Sequence, residues 1–314
     1  MPSHPIYNRR LDQHKIFIQE ILYRQGPEFD EYHSLLKWYE KVGKQYQSGW
    51  LGRGHLEDLV QFMGEIYLST TTLAGKLYIT AQDPFRNHLL LDQIYHHQTT
   101  SDPDLIKWDN FFHWTLFTES LRETKDYFLT TLENALHTCT SLNLLLLGGD
   151  MARSLEGILA LHTESNLNTS LLSHDPEAIA FARSILNGHG QTLQYMEQNI
   201  LSVNFDPSFD LIWGSLYPNL LGEEFGSLLL QLIQALSPGG QAVLSFLLAH
   251  PSTLHLLAFT GWELPYPSLA GIQTLCQDIL PPGYEVKCWG NKPASYGLLE
   301  VKHTANSQPL IPKL

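Results

Sequence analysis

A chain of 314 residues with 43% hydrophobic content has room for one large domain or for a core domain with a substantial extension, and its composition excludes a disordered polymer. Its 19 basic and 32 acidic residues give a formal net charge of -13, and the longest basic run is the pair Arg9-Arg10. Neither a nucleic-acid footprint nor attraction to anionic membranes is therefore expected, which leaves a small-molecule partner by elimination.

Cys139, Cys276 and Cys288 are too widely spaced for a disulfide framework or a metal site, so a reducing compartment is expected. The first residues, MPSHPIYNRR, carry no apolar stretch after their charges and do not read as a secretory signal. Apolar runs such as QAVLSFLLA are about half the ~20 residues a membrane span needs. The expectation is a cytoplasmic protein without a membrane partner. The sequence leaves the oligomeric state unknown.

Taken in chain order, residues 1–140 are helical in pattern. LDQHKIFIQEILYRQ comes first, then EYHSLLKWYEKVGKQY, then HLEDLVQFMGEIYLSTTTLAGKLYIT. In WDNFFHWTLFTESLRETKDYFLTTLENALHT, the residues Trp114, Phe117, Leu121, Phe128, Leu132 and Leu136 fall at helical steps. That spacing predicts one long helix, started by Asp109 or Asn110, with its stripe packed where the helical part meets the rest.

After Ser141 short apolar runs alternate with helical segments. LNLLLL, TSLLS, TLQYM, FDLIWGS and QAVLSFLL read as strands. MARSLEGILALH, PEAIAFARSILN, EEFGSLLLQLIQAL and LAGIQTLCQDIL read as helices, the third of them stopped by Ser-Pro-Gly-Gly. YEVKCW and YGLLEVKH form a candidate closing antiparallel pair. Such alternation predicts a Rossmann-like α/β domain over 141–314, its mostly parallel sheet covered on both faces. Residues 1–140 are then an all-helical N-terminal extension, either a domain or a lid. In such sheets ligands bind outside the carboxyl ends of the strands.

The first strand ends in Gly148-Gly149-Asp150. Glycine after an apolar strand lets backbone approach a ligand, and the next helix offers N–H groups to an anion. By itself this loop reads equally well as a tight strand-to-helix turn.

The whole succession resembles the class I S-adenosylmethionine-dependent methyltransferases across about residues 142–303. LNLLLLGGD stands at the glycine-rich first motif, SHDPEAIAFAR at the second strand's end, and YMEQNIL at the third motif. FDLIWGSLYPNLL and LIQALSPGGQAVLSF match the fourth and fifth strands. The resemblance implies a seven-stranded fold, S-adenosylmethionine as cofactor, and an S-adenosylmethionine-dependent transferase. It implies that Gly148, Gly149 and Asp150 hold the methionine moiety. It places Ser173, His174 and Asp175 at the ribose and adenosine, with Asn199 and Ile200 at adenine and Ser215 at the cleft.

The hallmark positions depart from the family pattern. Asp150 and Ala152 stand where its second and third glycines belong, Ser173 where an acid binds ribose, and Asn199 where the third motif has an acid. Asp175 substitutes for Ser173 if the second strand ends later. A carboxylate at Asp150 repels the methionine carboxylate and attracts its ammonium.

HPSTLHLLAFTGWELPYPSLAGIQTL and QDPFRNHLLLDQIY are similar to a bacterial family that makes the methyl ester of a 3-hydroxy fatty acid, an extracellular factor. That resemblance implies carboxyl O-methylation, with Tyr95, Trp262 and Tyr266 near the substrate. The expected glycine-containing insertion between Phe85 and Leu89 is missing. Nicotianamine synthases and S-adenosylmethionine cyclising enzymes also pair a helical part with this fold. They use the aminocarboxypropyl group and release methylthioadenosine. A degenerate, non-catalytic binding protein of the same fold is the third reading.

Tyr217, just after the fourth strand, is the candidate catalytic residue, positioned to orient a nucleophile; an ordinary half-buried tyrosine is the commoner case. Asn219 is a candidate substrate contact. No metal is expected: the 15 histidines include the adjacent pair His96-His97 but no ligand-spaced set. A Ser-His-Asp hydrolase is disfavoured because no G-x-S-x-G elbow occurs. Methyl transfer to a deprotonated nucleophile needs alignment rather than a general base, so the lack of a catalytic constellation does not argue against an enzyme.

Overall fold

A computed structural model describes residues 5–162, 166–188, 192–203, 205 and 208–304. The helices α1 (Pro5–Tyr23), α2 (Tyr32–Gln47), α3 (Arg53–Met63), α4 (Glu65–Leu68), α5 (Leu73–Thr80), α6 (His88–Tyr95), α7 (Ile106–Trp114) and α8 (Leu116–Thr138) come first. They are followed by β1 (Leu142–Leu147), α9 (Ala152–Leu161), β2 (Leu167–Ser173), α10 (Pro176–Leu186), β3 (Thr192–Glu197) and β4 (Phe209–Ser215). The chain continues through α11 (Tyr217–Leu221), α12 (Phe225–Ala235), β5 (Leu236–Leu247), α13 (Pro251–Thr260), α14 (Leu269–Ile279), β6 (Tyr284–Gly290) and β7 (Tyr296–His303). Two compact units result: Met1–Arg122 with Ala249–Glu263, and Glu123–Leu248 with Leu264–Leu314. The sequence suggests a single boundary near residue 140; in the structure the division falls within α8, and α13 joins the helical unit.

In the helical unit an aromatic core forms around Tyr39 of α2. Its ring lies 4.8 Å from that of Phe259 and stacks on Phe111 at 5.9 Å, and its hydroxyl meets the Tyr67 hydroxyl at 2.8 Å. Phe259 comes from α13, which crosses α2 at Gly43. A Cβ added there would lie 2.5 Å from the His255 ring, so glycine sets this close approach.

Two expected long helices are broken. The 55–80 pattern divides at Gly64, whose φ of 57° suits glycine, and again before α5. The 108–138 pattern divides at Thr115, extended at φ -68°, ψ 151°. The Thr115 hydroxyl donates to Phe112 O at 2.7 Å, and the Thr118 hydroxyl approaches Phe112 O and His113 O at 2.9 Å each. These side chains take carbonyls that would otherwise continue the helix. Trp114 therefore belongs to α7 and does not share a face with Phe117 to Leu136.

Asp109 does not start a long helix either. It lies inside α7, fully buried, and accepts from Leu73 N at 2.8 Å, Thr100 N at 2.7 Å and Gln93 Nε2 at 3.3 Å. Its carboxylate thus caps α5, the helix that starts at Leu73.

The second unit is a seven-stranded sheet in the order β3-β2-β1-β4-β5-β7-β6. β1 to β5 pair in parallel, while β7 runs antiparallel to both β5 and β6. The apolar runs LNLLLL and FDLIWGS are buried almost throughout, as central parallel strands require. β5 starts at Leu236, directly after α12, so Ser-Pro-Gly-Gly lies within the strand instead of forming a separate stop. Phe128 of α8 packs on Trp213 of β4 with ring centroids 4.8 Å apart.

Candidate active site at the carboxyl ends of β1 and β4

The chain runs from β1 outward to β2 and β3, then returns to place β4 on the other side of β1. This reversal opens the crevice in which α/β sheets bind ligands. Leu147 is level with Leu172 on one side and Gly214 on the other, so Gly148, Ser173 and Ser215 share the crevice edge.

Gly148 has φ 97°, a conformation that L side chains rarely adopt. A Cβ placed there would lie 2.8 Å from Asp150 Oδ1 and 4.0 Å from the Tyr217 hydroxyl. The Asp150 side chain therefore folds back over Gly148, and Tyr217 reaches the same point from β4. Both residues are buried, at 2% and 8% exposure. Burial, and secondarily the Asp150 charge, push the Tyr217 phenol up, so it stays protonated and able to donate at neutral pH. Gly149 has a different part: a Cβ there would lie 2.7 Å from Ala178 O of α10, so its small size serves helix packing.

The turn into α11 is strained. Leu216 has φ 65°, unusual for leucine, and its N–H donates to Ser245 O at 2.8 Å. That conformation swings Tyr217 to the crevice. Ser215 and Ser245 lie side by side, hydroxyl to hydroxyl at 3.2 Å.

At the end of β2 the Ser173 hydroxyl accepts from Asp175 N at 3.1 Å, and Asp175 Oδ1 accepts from Glu177 N at 3.1 Å. Asp175 is thus the N-cap of α10, ahead of Pro176 at its first turn. β2 ends at Ser173, so the condition for Asp175 to take over the ribose-binding position is not met. His174 is exposed. Gln198 N donates to Ser173 O at 3.1 Å, which brings the Asn199 turn beside β2. Asn199 Oδ1 accepts from Leu201 N at 2.9 Å, leaving its exposed amide at the surface, while Ile200 is buried.

Asn219, the expected substrate contact, hydrogen-bonds to the scaffold. Its Nδ2 donates to Leu247 O at 3.0 Å and Pro265 O at 2.8 Å, and its Oδ1 accepts from Leu247 N at 2.8 Å. Being fully buried, it pins the end of β5 and the following loop. Tyr266 belongs to the same unit; its hydroxyl is buried without a hydrogen-bond partner among the described residues, and burial raises its pKa. Tyr95 and Trp262 belong to the helical unit. Both are buried, and Trp262 meets Phe117 edge-on at 6.1 Å.

The sequence reading missed a polar cluster in the helical unit. His97 stacks on His113 at 4.3 Å, beside Arg122, and a cavity of about 710 Å³ is lined by these three with Tyr32, Trp114 and His250. His113 Nε2 donates to Gln98 O at 2.8 Å, and Arg122 Nη1 approaches Nδ1 at 3.4 Å. This arrangement suits a neutral imidazole, and burial brings its pKa down to about 4. In sequence His113 sits within an aromatic stripe and reads as core. Among the described residues no group of three histidine, cysteine or acidic side chains is arranged for a metal, and all three cysteines are free thiols. No described helix is long and apolar enough to cross a membrane.

Strand order, crevice and flanking helices define a class I methyltransferase fold with a helical N-terminal region. No protein-family model matches the sequence, and no curated protein matches it. Among solved structures, a possible exported protein from Bordetella parapertussis is similar at 17% identity, over 82% of this chain and 99% of that one, with a TM-score of 0.55. Magnesium protoporphyrin IX methyltransferase from Synechocystis PCC 6803, solved with bound SAH, is similar at 13% identity, over 73% of this chain and all (100%) of that one, with a TM-score of 0.50. At these identities the likeness is one of fold.

Proposed function

We propose that this chain is an enzyme that binds an adenosyl sulfonium of the S-adenosylmethionine class at the β1/β4 crevice and transfers a group from its sulfur to a small molecule. The observation that carries the reading is Gly148, held at φ 97° at the carboxyl end of β1, where the strand order reverses. Methyl transfer to an oxygen or carboxyl acceptor is the leading reaction.

The chain's own residues supply positioning. Gly148 at φ 97° turns the loop so that Asp150 and Tyr217 meet beside it, Ser173 offers a hydroxyl at the nucleoside end, and Ile200 offers an apolar surface. Tyr217, kept neutral, donates a hydrogen bond at the reacting end and orients the acceptor. The sulfonium brings its own activation. A carboxylate acceptor needs no base, and alignment with water excluded is sufficient.

Asp150 favours a second reading. A carboxylate beside Gly148 is ill suited to an ordinary methionine tail, which keeps chemistry at the aminocarboxypropyl carbon in view. Incubation with S-adenosylmethionine followed by mass spectrometry separates the readings. S-adenosylhomocysteine is the expected product of methyl transfer, and methylthioadenosine that of the alternative. Failure of any adenosyl ligand to bind in calorimetry at millimolar concentration would leave a non-catalytic protein of this fold.

A further inference from the structure

β6 is an edge strand of the sheet and pairs with β7 along its whole length. The bonds at its two ends show which of its backbone groups face outward. Thr304 N donates to Gly283 O at 2.8 Å, and Asn291 N donates to Tyr296 O at 3.3 Å. In an antiparallel ladder, successive residues point their backbone groups alternately toward the partner strand and away from it. Glu285, Lys287 and Trp289 therefore bond to β7, while Tyr284, Val286 and Cys288 present their N–H and C=O groups at the sheet edge. Among the described residues one of these groups is engaged: Cys288 O accepts from the exposed Gln273 side chain of α14 at 3.4 Å.

The side chains at this edge carry a particular charge pattern. Glu285 and Lys287 flank Val286 on one face, both more than half exposed, with Lys287 Nζ 3.4 Å from Glu285 Oε1. An exposed pair of this kind contributes little to stability. A lone charge on an edge strand discourages pairing with another chain. Two opposite charges spaced by two residues act differently on a copy of the same strand. Antiparallel pairing about a two-fold axis at Val286 sets Glu285 of each copy opposite Lys287 of the other. Both are then non-hydrogen-bonded pairs, in which side chains lie closest. β3, the opposite edge, carries Glu197 as its one charged residue and offers no such match.

We propose that β6 is a self-association surface. Two copies of this chain join antiparallel at Val286 into one continuous sheet, and two reciprocal Glu285–Lys287 pairs fix the register. β5 and β7 lie between this edge and β4.

Sedimentation velocity on the full chain tests this over about a hundredfold range of concentration, in about 0.15 M salt to screen the -13 charge of each copy. The expected result is a dimer at the upper end that dissociates on dilution. Lys287→Glu and Glu285→Lys each set like charges opposite one another, and each is expected to weaken the dimer by about tenfold or more. An equimolar mixture of these two variants should recover it, as should the variant carrying both changes, because opposite charges meet again. Val286→Pro removes an outward N–H and no bond to β7, and should leave the chain monomeric. A wild-type chain that stays monomeric throughout overturns the proposal. So does a dimer that survives the single charge reversals, or one that the mixture fails to restore, since either puts the interface elsewhere. Thermal melts report the folding of the variants, and the wild-type measurement decides independently of them.

Discussion

Asp150 and Tyr217 converge on one face of Gly148, the carboxylate oxygen 2.8 Å and the phenol oxygen 4.0 Å from the point a Cβ would occupy. One residue follows β1 and the other follows β4, and 66 intervening residues separate them in sequence. Their meeting results from the strand order, which makes β1 and β4 neighbours, and from the left-handed turn at Leu216.

Gly148→Ala should strain the loop twice, through φ 97° and through the clash with Asp150 Oδ1. A stability loss of about 1–3 kcal/mol is expected in urea unfolding, because alanine must adopt a sparsely populated conformation. Calorimetry should show loss of adenosyl-ligand affinity as the carboxylate is displaced. A variant of wild-type stability and affinity would mean that the loop relaxes freely.

Tyr217→Phe keeps the ring, which packs so closely on Gly214 that a Cβ there would lie 3.0 Å from Cδ2. Only the hydroxyl is lost, so urea unfolding should shift by no more than about 1 kcal/mol. Turnover should fall by about tenfold or more if the phenol orients the acceptor. Unchanged turnover would reduce Tyr217 to a packing residue.

Asn219→Ala removes three hydrogen bonds from a fully buried site and leaves the Leu247 N–H and two carbonyls without that partner. A destabilisation of about 2–4 kcal/mol is expected. Asn219→Asp should also destabilise, since a carboxylate cannot donate to Leu247 O or Pro265 O. A mild effect on unfolding combined with a large effect on substrate KM would instead restore Asn219 as a substrate contact.

His113 should make the protein acid-sensitive. Its imidazole titrates at about 4 when folded, against about 6.5 in the unfolded chain, so the unfolded state binds the proton first. The stability this provides is complete above about pH 6.5 and is lost as pH falls toward 4, on the order of 3 kcal/mol in all. Asp109 works the other way, because burial raises its carboxyl pKa and acidification relieves the buried charge. Urea unfolding at pH 7.5 and pH 5 should show a smaller pH difference in His113→Gln than in the wild type. In NMR the His113 ring signals should stay flat above about pH 5; a midpoint near 6.5 would show that the ring is not buried as a neutral donor.

The sequence was most informative where local chemistry and tertiary role coincide. LNLLLL, FDLIWGS and the YEVKCW/YGLLEVKH pair could be read as strands because buried parallel strands are continuous apolar runs and closing pairs alternate. Asp175-Pro176 likewise marks a helix start in any context. Asp109 reads locally as a helix start, and the bonds of Asn219 to Leu247 and Pro265 have no local signature, because each polar group serves a distant backbone segment. The 108–138 stripe was read through Thr115 because a β-branched residue barely alters helical periodicity, yet its hydroxyl and that of Thr118 capture the carbonyls there.

By itself the sequence determined the parallel α/β succession after Ser141, the glycine at the end of β1 and the unusual acid two residues later. Periodicity and backbone freedom are local properties, and these features depend on them alone. Tertiary structure decided that Asp150 and Tyr217 face one another across Gly148, that Gly149 serves helix packing, and that Asn219 braces β5. Those roles depend on which strands become neighbours, and strand order is settled by burial of the whole sheet.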